Sequence, residues 1–187
     1  LKWVAVGGAA AGATLIHAAR GLGIPAGEGY GLSEGASVQT LNLPGADRPG
    51  SAGRALPHAR LRVAADGELL IAGSLFSGYL GDPAPVPAWW PTGDLGRIDE
   101  DGFVHVEGRK KNLLITSFGR NVSPEWVETA LRSQSAVLQA VVFGDGQPAL
   151  SAVLWPVDPA AGDRALQAAV DAANASLPDY ARIAAWT

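Results

Sequence analysis

The sequence predicts a mixed chain: α/β at its start, β-rich in the middle, and a small α+β unit at its end. Three observations carry this. An apolar run, Trp3 to Val6, is followed by glycines and then by a helical pattern. Two Asp-Gly dipeptides, Asp66-Gly67 and Asp101-Gly102, each separate short apolar runs. From Gly108-Arg109 onward the patterns read strand, helix, strand, strand, helix, the order of a small α+β layer structure.

In chain order, Trp3 to Val6 reads as a buried strand that Gly7-Gly8 ends. From Ala11 the residues Leu15, Ile16, Ala19 and Leu22 fall on one helical face, and Gly21 and Gly23 close the helix. Leu61 to Val63 and Glu68 to Ile71 flank Asp66-Gly67, and Leu95 to Asp99 and Phe103 to Val106 flank Asp101-Gly102. Glycine accepts positive φ there, so both read as hairpins. The Pro-rich stretch Asp82 to Pro91, with Trp89-Trp90 inside it, reads as a packed loop. Leu113 to Ile115 is a short strand and Asn121 to Pro124 a loop, with Ser123 at the N-cap and Pro124 in the first turn of a helix. Val137 to Phe143 and Leu150 to Trp155 are strands around Asp145-Gly146, and a helix runs from Asp163 to about Ser176. The expected division is 1–108 and 109–187, with a hinge at 109–111.

Composition excludes several classes of function. Of 187 residues, 48% are hydrophobic and 17% charged, the balance of a folded domain rather than a disordered one. A net charge of -4 argues against nucleic-acid binding. The absence of Cys removes thiolate nucleophiles, disulfides and Cys-based zinc sites. His17, His58 and His105 lack ligand spacing to one another. No run approaches the roughly 18 apolar residues of a membrane helix, and no signal peptide is legible. A soluble, cytoplasmic protein is the expectation. A chain that opens on Leu1-Lys2-Trp3, with no Met, reads as cut from something longer.

Three constellations could carry chemistry. Gly29-Tyr30-Gly31-Leu32-Ser33-Glu34-Gly35 offers an aromatic ring, a hydroxyl and a carboxylate beside freed backbone. That set could stack a base, meet a phosphate and hold a hard cation; it could equally be a capped Gly-rich turn. Pro91-Thr92-Gly93-Asp94-Leu95 places a carboxylate at an expected strand entrance. Asp94 there could accept ribose hydroxyls or bond its own backbone in a turn. Gly108-Arg109-Lys110-Lys111 could meet phosphates, act as a charged hinge, or be a solvated charge run.

Taken in order, these motifs resemble a known family. Tyr-Gly-x-Ser-Glu, Gly-Glu-Leu-Leu-Ile-x-Gly (Gly67 to Gly73), Thr-Gly-Asp-Leu, Asp-Gly-Phe and Gly-Arg-Lys-Lys are similar to the successive core motifs of the adenylate-forming (AMP-binding) superfamily. The segment Gly108 to Glu128 resembles bacterial long-chain acyl-CoA synthetases most.

The resemblance implies a truncated remnant of the large domain followed by a nearly complete small one. It implies ATP-dependent activation of a fatty acid, with Mg²⁺, through an acyl-adenylate, then domain rotation and transfer to coenzyme A. Gly7, Gly8 and Ala9 would line the adenine and acyl pocket; Tyr30 would stack on adenine, with Gly31 beside the nucleotide. Ser33 would contact phosphate, Glu34 would hold Mg²⁺, and Asp94 and Arg109 would serve the ribose. Lys111 would sit at the hinge, and Gly119 on the loop lining the pantetheine tunnel.

Two family segments are not found: an upstream phosphate loop ending in Lys-Gly, and a lysine near the C-terminus. The only lysines are Lys2, Lys110 and Lys111. The resemblance therefore implies a C-terminal fragment that is inactive alone, with apolar surface left open around the first strand and helix. A carrier protein as acyl acceptor, a non-catalytic homologue, and a peripheral membrane contact stay open beside the coenzyme A reading.

Overall fold

A computed structural model describes residues 2–187. The chain forms two compact units, the first ending at Lys110 and the second running from Lys111 to Thr187.

The first unit opens with β1 (Val4–Val6), α1 (Ala13–Gly21) and β2 (Ala26–Tyr30). β1 and β2 pair in parallel, so a crossover must join them, and α1 supplies it. β3 (Thr40–Leu41) and β4 (Arg54–Ala55) extend the sheet antiparallel in the order β1-β2-β3-β4. Of the α1 face expected to be apolar, only Ile16 is buried; Leu15 is exposed, and Leu22, just past the helix, is 81% exposed. β1, expected as a buried strand, is only half-buried at Val4 and Val6 and is exposed at Ala5.

A second sheet is an antiparallel meander: β5 (Ala59–Val63), β6 (Glu68–Gly73), β7 (Trp90–Ile98) and β8 (Val104–Arg109). Both Asp-Gly hairpins form, with Gly67 at φ 85 and Gly102 at φ 82. The two sheets join where Ala52 N–H donates to Val104 O and Val104 N–H to Gly53 O. Leu69, Ile71, Phe103 and Val104 are buried in this unit.

In the second unit, β9 (Leu114–Ile115) pairs antiparallel with β10 (Asn121–Val122). α2 (Pro124–Arg132) follows, then β11 (Val137–Phe143), β12 (Leu150–Pro156), α3 (Asp163–Ser176) and β13 (Ile183–Trp186). β11 and β12 are antiparallel; β12 and β13 are parallel, with α3 as the crossover. Leu166, Ala169, Val170 and Ala173 bury one stripe of α3 at helical spacing. α2 contributes Val127 and Leu131 to the same core. Glu128 Oε1 accepts the N–H of Val142, so a helix side chain satisfies one donor on edge strand β11.

Four sequence expectations need correction. Trp90 and Pro91 begin β7 rather than lying in the loop, because they pair with Ile71 and Leu70 of β6, and the Trp90 ring packs edge-to-face on Phe76 at 4.8 Å. Asp94 lies mid-strand, not at a strand entrance. Asn121-Val122 is a strand, since its backbone finds a partner in β9. Finally, β2 and β13 form strands that carry no strand signal in the sequence: β2 is rich in glycine and β13 is alanine-rich and short. Ser123 does occupy the N-cap of α2, but its hydroxyl donates to Glu125 Oε2 at 2.9 Å instead of capping backbone.

Leu131 has no exposed surface, and truncating it leaves a cavity. Leu131→Ala should destabilise the protein by about 3 kcal/mol, read as a lowered midpoint in equilibrium urea unfolding.

Candidate functional site

The site in the first unit begins with a distortion of β7. Along the pair with β6, Leu70 faces Pro91 and Glu68 faces Leu95, so Thr92-Gly93-Asp94 bulges out of register. Bulges re-aim side chains. Gly93 takes φ 74, which a glycine tolerates. Its N–H, lost to the ladder, donates to Glu68 Oε1 at 2.9 Å. Thr92 Oγ1 donates to Leu69 O at 2.7 Å and accepts the N–H of Asp94 at 3.1 Å.

This bulge presents Asp94, only 6% exposed. The Tyr30 hydroxyl donates to Asp94 Oδ2 at 2.6 Å, and Arg109 Nε lies 3.1 Å from Asp94 Oδ1. Arg109 faces Asp94 directly across the β7–β8 ladder, and its Nη1 donates to Thr92 O at 3.3 Å. Residues 64 apart in sequence, Tyr30 and Asp94, are thus in contact. Burial, and then the hydrogen bond to Asp94, pushes the Tyr30 phenol well above its ordinary 10.0.

Beside Tyr30 a cavity of about 350 Å³ is lined by Gly7, Gly8, Tyr30, Gly31, Ser33 and Val38, among others. That is within the size range of small-ligand pockets. Four glycines, Gly7, Gly8, Gly29 and Gly31, are part of its lining. A Cβ on Gly31 would sit 1.6 Å from Ser37 O, so only glycine allows this approach. Ala9, also expected at this wall, is not among the lining residues.

Ser33 and Glu34 stand on a 3-10 turn, Ser33–Gly35. Ala36 and Ser37 follow at φ 62 and φ 81, left-handed values that are costly for side-chain-bearing residues. Buried Gln39 holds the turn from within: its Oε1 accepts Leu32 N–H at 2.9 Å and its Nε2 donates to Gly35 O. Glu34 Oε1 accepts the Tyr79 hydroxyl at 2.6 Å.

Lys110 closes the first unit with its ammonium on Asp66 Oδ2 at 2.7 Å and Glu68 Oε2 at 2.8 Å. Lys111, exposed, opens the second unit. There Gly119 takes φ 72 in a turn closed by Gly119 N–H to Thr116 O at 2.8 Å, with nothing within 4 Å of where a Cβ would be. Phe118 beside it is highly exposed.

The fold therefore brings Tyr30, Asp94 and Arg109 together, places Ser33 on the cavity, and puts Glu34 on the same turn. Sequence reading gave no role to Tyr79, Glu68 or Thr92. Glu68 and Thr92 lie inside recognised motifs and Tyr79 lies outside them, and each acts through a hydrogen bond to a residue distant in sequence.

The donor set suits a nucleotide and its ion. The cavity has Tyr30 and four glycines in its lining, beside a paired carboxylate. Among the described residues no cluster of three metal-ligand side chains occurs. A single carboxylate matches Mg²⁺, which takes one or two carboxylates plus phosphate oxygens. No helix among the described residues is long and apolar enough to cross a membrane.

Residues 111–187 match the family model described as the AMP-binding enzyme C-terminal domain. The chain is 41% identical over 181 residues to the long-chain-fatty-acid–CoA ligase FadD15 of Mycobacterium bovis, covering 94% of this chain and 30% of that protein. The chain thus spans about a third of the length of the curated relatives it matches. The o-succinylbenzoate coenzyme A synthetase of Bacillus subtilis, solved with its acyl-adenylate intermediate, superposes with a TM-score of 0.84 at 26% identity, over 100% of this chain and 42% of that one. The same enzyme with ATP and magnesium ion gives 0.79 at 28% identity, over 98% of this chain and 42% of that one.

The Tyr30 environment is testable by titration. Because the folded-state phenol is raised, its contribution to stability is complete below 10.0 and is lost as pH climbs beyond that value. In an ultraviolet difference titration against Tyr30→Phe, Tyr30 should stay un-ionised as pH passes 10.0, and Asp94→Asn should bring its ionisation to lower pH.

Proposed function

The chain belongs to the adenylate-forming (AMP-binding) superfamily, and from that premise we propose that it supplies the ribose, metal and thiol-transfer elements of an acid–thiol ligase. The reaction joins a carboxylate to the α-phosphate of ATP, releasing pyrophosphate, and then passes the acyl group to the thiol of coenzyme A, releasing AMP. A long-chain fatty acid is the proposed acid, supported by the 41% identity to FadD15. A cytoplasmic setting goes with these substrates.

The observation that carries this reading is the buried Asp94, held between Tyr30 and Arg109 beside the cavity. A carboxylate oxygen accepts more than one hydrogen bond. The oxygens that hold Tyr30 and Arg109 can therefore also accept vicinal ribose hydroxyls, and their direction is set before the ligand arrives. Tyr30, kept neutral, offers its ring face to a base. Gly7, Gly8 and Gly31 let backbone approach the nucleotide, with Ala9 just beyond them, and Ser33 donates to a phosphate oxygen. Arg109 adds a fixed cation at the ribose. Glu34 would hold Mg²⁺, which when bound neutralises phosphate charge. Phosphoryl-centre chemistry of this kind depends on positioning and electrostatics rather than a protein nucleophile, in keeping with a chain that has no Cys.

Lys111 is the proposed pivot, since it is the first residue of the second unit, while Lys110 is engaged by Asp66 and Glu68. Gly119, on an open turn, would let the narrow pantetheine arm pass close to backbone. Loading of a carrier protein would use the same first half-reaction. A decayed, non-catalytic homologue is disfavoured because Tyr30, Glu34, Asp94 and Arg109 are all in place.

With Lys110 engaged and Lys2 and Lys111 the only other lysines, the 187 residues alone should bind ATP weakly and catalyse no pyrophosphate exchange. Robust exchange would overturn that. In the longer ligase, Asp94→Ala should lower kcat/KM for ATP by about 10- to 100-fold, the loss of hydrogen bonds to a charged group. Acyl-CoA formation across a panel of chain lengths measures both this loss and the acid preferred.

A further inference from the structure

Glu34 is engaged by the loop that joins β6 to β7. Residues 74–89 leave the sheet after Gly73 and return at Trp90. On the way they dock on Glu34 twice. Phe76 N–H donates to Glu34 O at 2.8 Å, and the Tyr79 hydroxyl donates to Glu34 Oε1 at 2.6 Å.

The Tyr79 ring cannot swing freely. It packs edge-to-face on Phe76 at 4.9 Å and on Trp90 at 6.1 Å, and Phe76 packs on Trp90 at 4.8 Å. Trp90 opens the strand that carries Asp94. The aromatic group thus fixes the hydroxyl relative to the same strand that fixes the ribose carboxylate.

Burial does not explain this arrangement. Tyr79 is 53% exposed, so its ring gains only part of what a core residue gains. What the ring geometry does is hold one hydroxyl on one carboxylate oxygen. A glutamate on a short turn otherwise samples several rotamers, and ordering it costs conformational entropy at the moment of binding. With Oε1 already taken, Oε2 has no protein partner among the described residues.

We infer that Tyr79 is a positioning residue for Glu34, fixing the carboxylate so that its second oxygen is ready for a divalent cation. This rests on the reading of Glu34 as the metal-holding residue. Partners that orient a metal-ligating side chain typically change metal affinity 10- to 100-fold when removed.

The test uses Mn²⁺ as the probe, with ATP, on the 187-residue chain. Free Mn²⁺ is followed by electron paramagnetic resonance, and the Tyr79 ring signals, identified by their loss in Tyr79→Phe, are followed by NMR. Bound Mn²⁺ should broaden the Tyr79 ring signals in the parent protein, and Glu34→Gln should abolish the broadening. Tyr79→Phe, which keeps the ring packing, should weaken Mn²⁺ binding about tenfold while leaving the urea midpoint nearly unchanged. Parent-like affinity in Tyr79→Phe, with Glu34-dependent broadening intact, reduces Tyr79 to a loop anchor and overturns the inference while sparing the Glu34 reading. Absence of any Glu34-dependent broadening overturns both. Phe76→Leu controls for packing: if it weakens binding as much as Tyr79→Phe at an equal loss of stability, the hydroxyl is not the cause and the inference fails.

Discussion

A carboxylate taken out of water must be paired, and much of the first unit is arranged to meet that need at Asp94. Its partners come from two sheets: Tyr30 ends β2, while Arg109 ends β8. The bulge in β7 turns Asp94 toward them, and the bulge in turn needs Gly93 for its backbone, Glu68 for its orphan N–H and Thr92 for its internal bonds. Glu68 is held by Lys110, the last residue of the unit. One buried charge thereby connects the glycine motif, the Thr-Gly-Asp motif and the basic run, which look independent along the chain.

The second constraint is close backbone approach. Around the cavity, side chains are removed rather than added: a Cβ at Gly31 would overlap Ser37 O, and one at Gly29 would come within 2.8 Å of Thr40 O. Buried amides support this thin region. Gln39 ties the Ser33–Gly35 turn, and Asn42 bonds Glu28 O at 3.0 Å and Ser51 O at 2.6 Å. Because those polar groups are satisfied, they cost little to bury. Because they are directional, they can impose left-handed backbone on Ala36 and Ser37. Such strain is typical of sites where geometry must be set before a ligand binds.

The second unit follows simpler rules. Its helices place apolar stripes on a three-stranded sheet, and Gly119 sits on an open turn at its surface.

What the sequence determined by itself was local and periodic. The Asp-Gly hairpins, the stripe of α3, Pro124 at the start of α2 and the order of the five motifs were legible because each depends on near neighbours or on repeat spacing. What only the tertiary structure decided was long-range or glycine-dependent. β2 carries too few side chains to show a period, and β10 and β13 are short strands that exist through pairing partners elsewhere. Asp94 was visible as a motif, but its mid-strand place came from a register shift between β6 and β7, which no window of one strand contains. Tyr79 was invisible as a partner of Glu34, 45 residues away, because hydrogen bonds between side chains obey distance in space and leave no spacing in the chain.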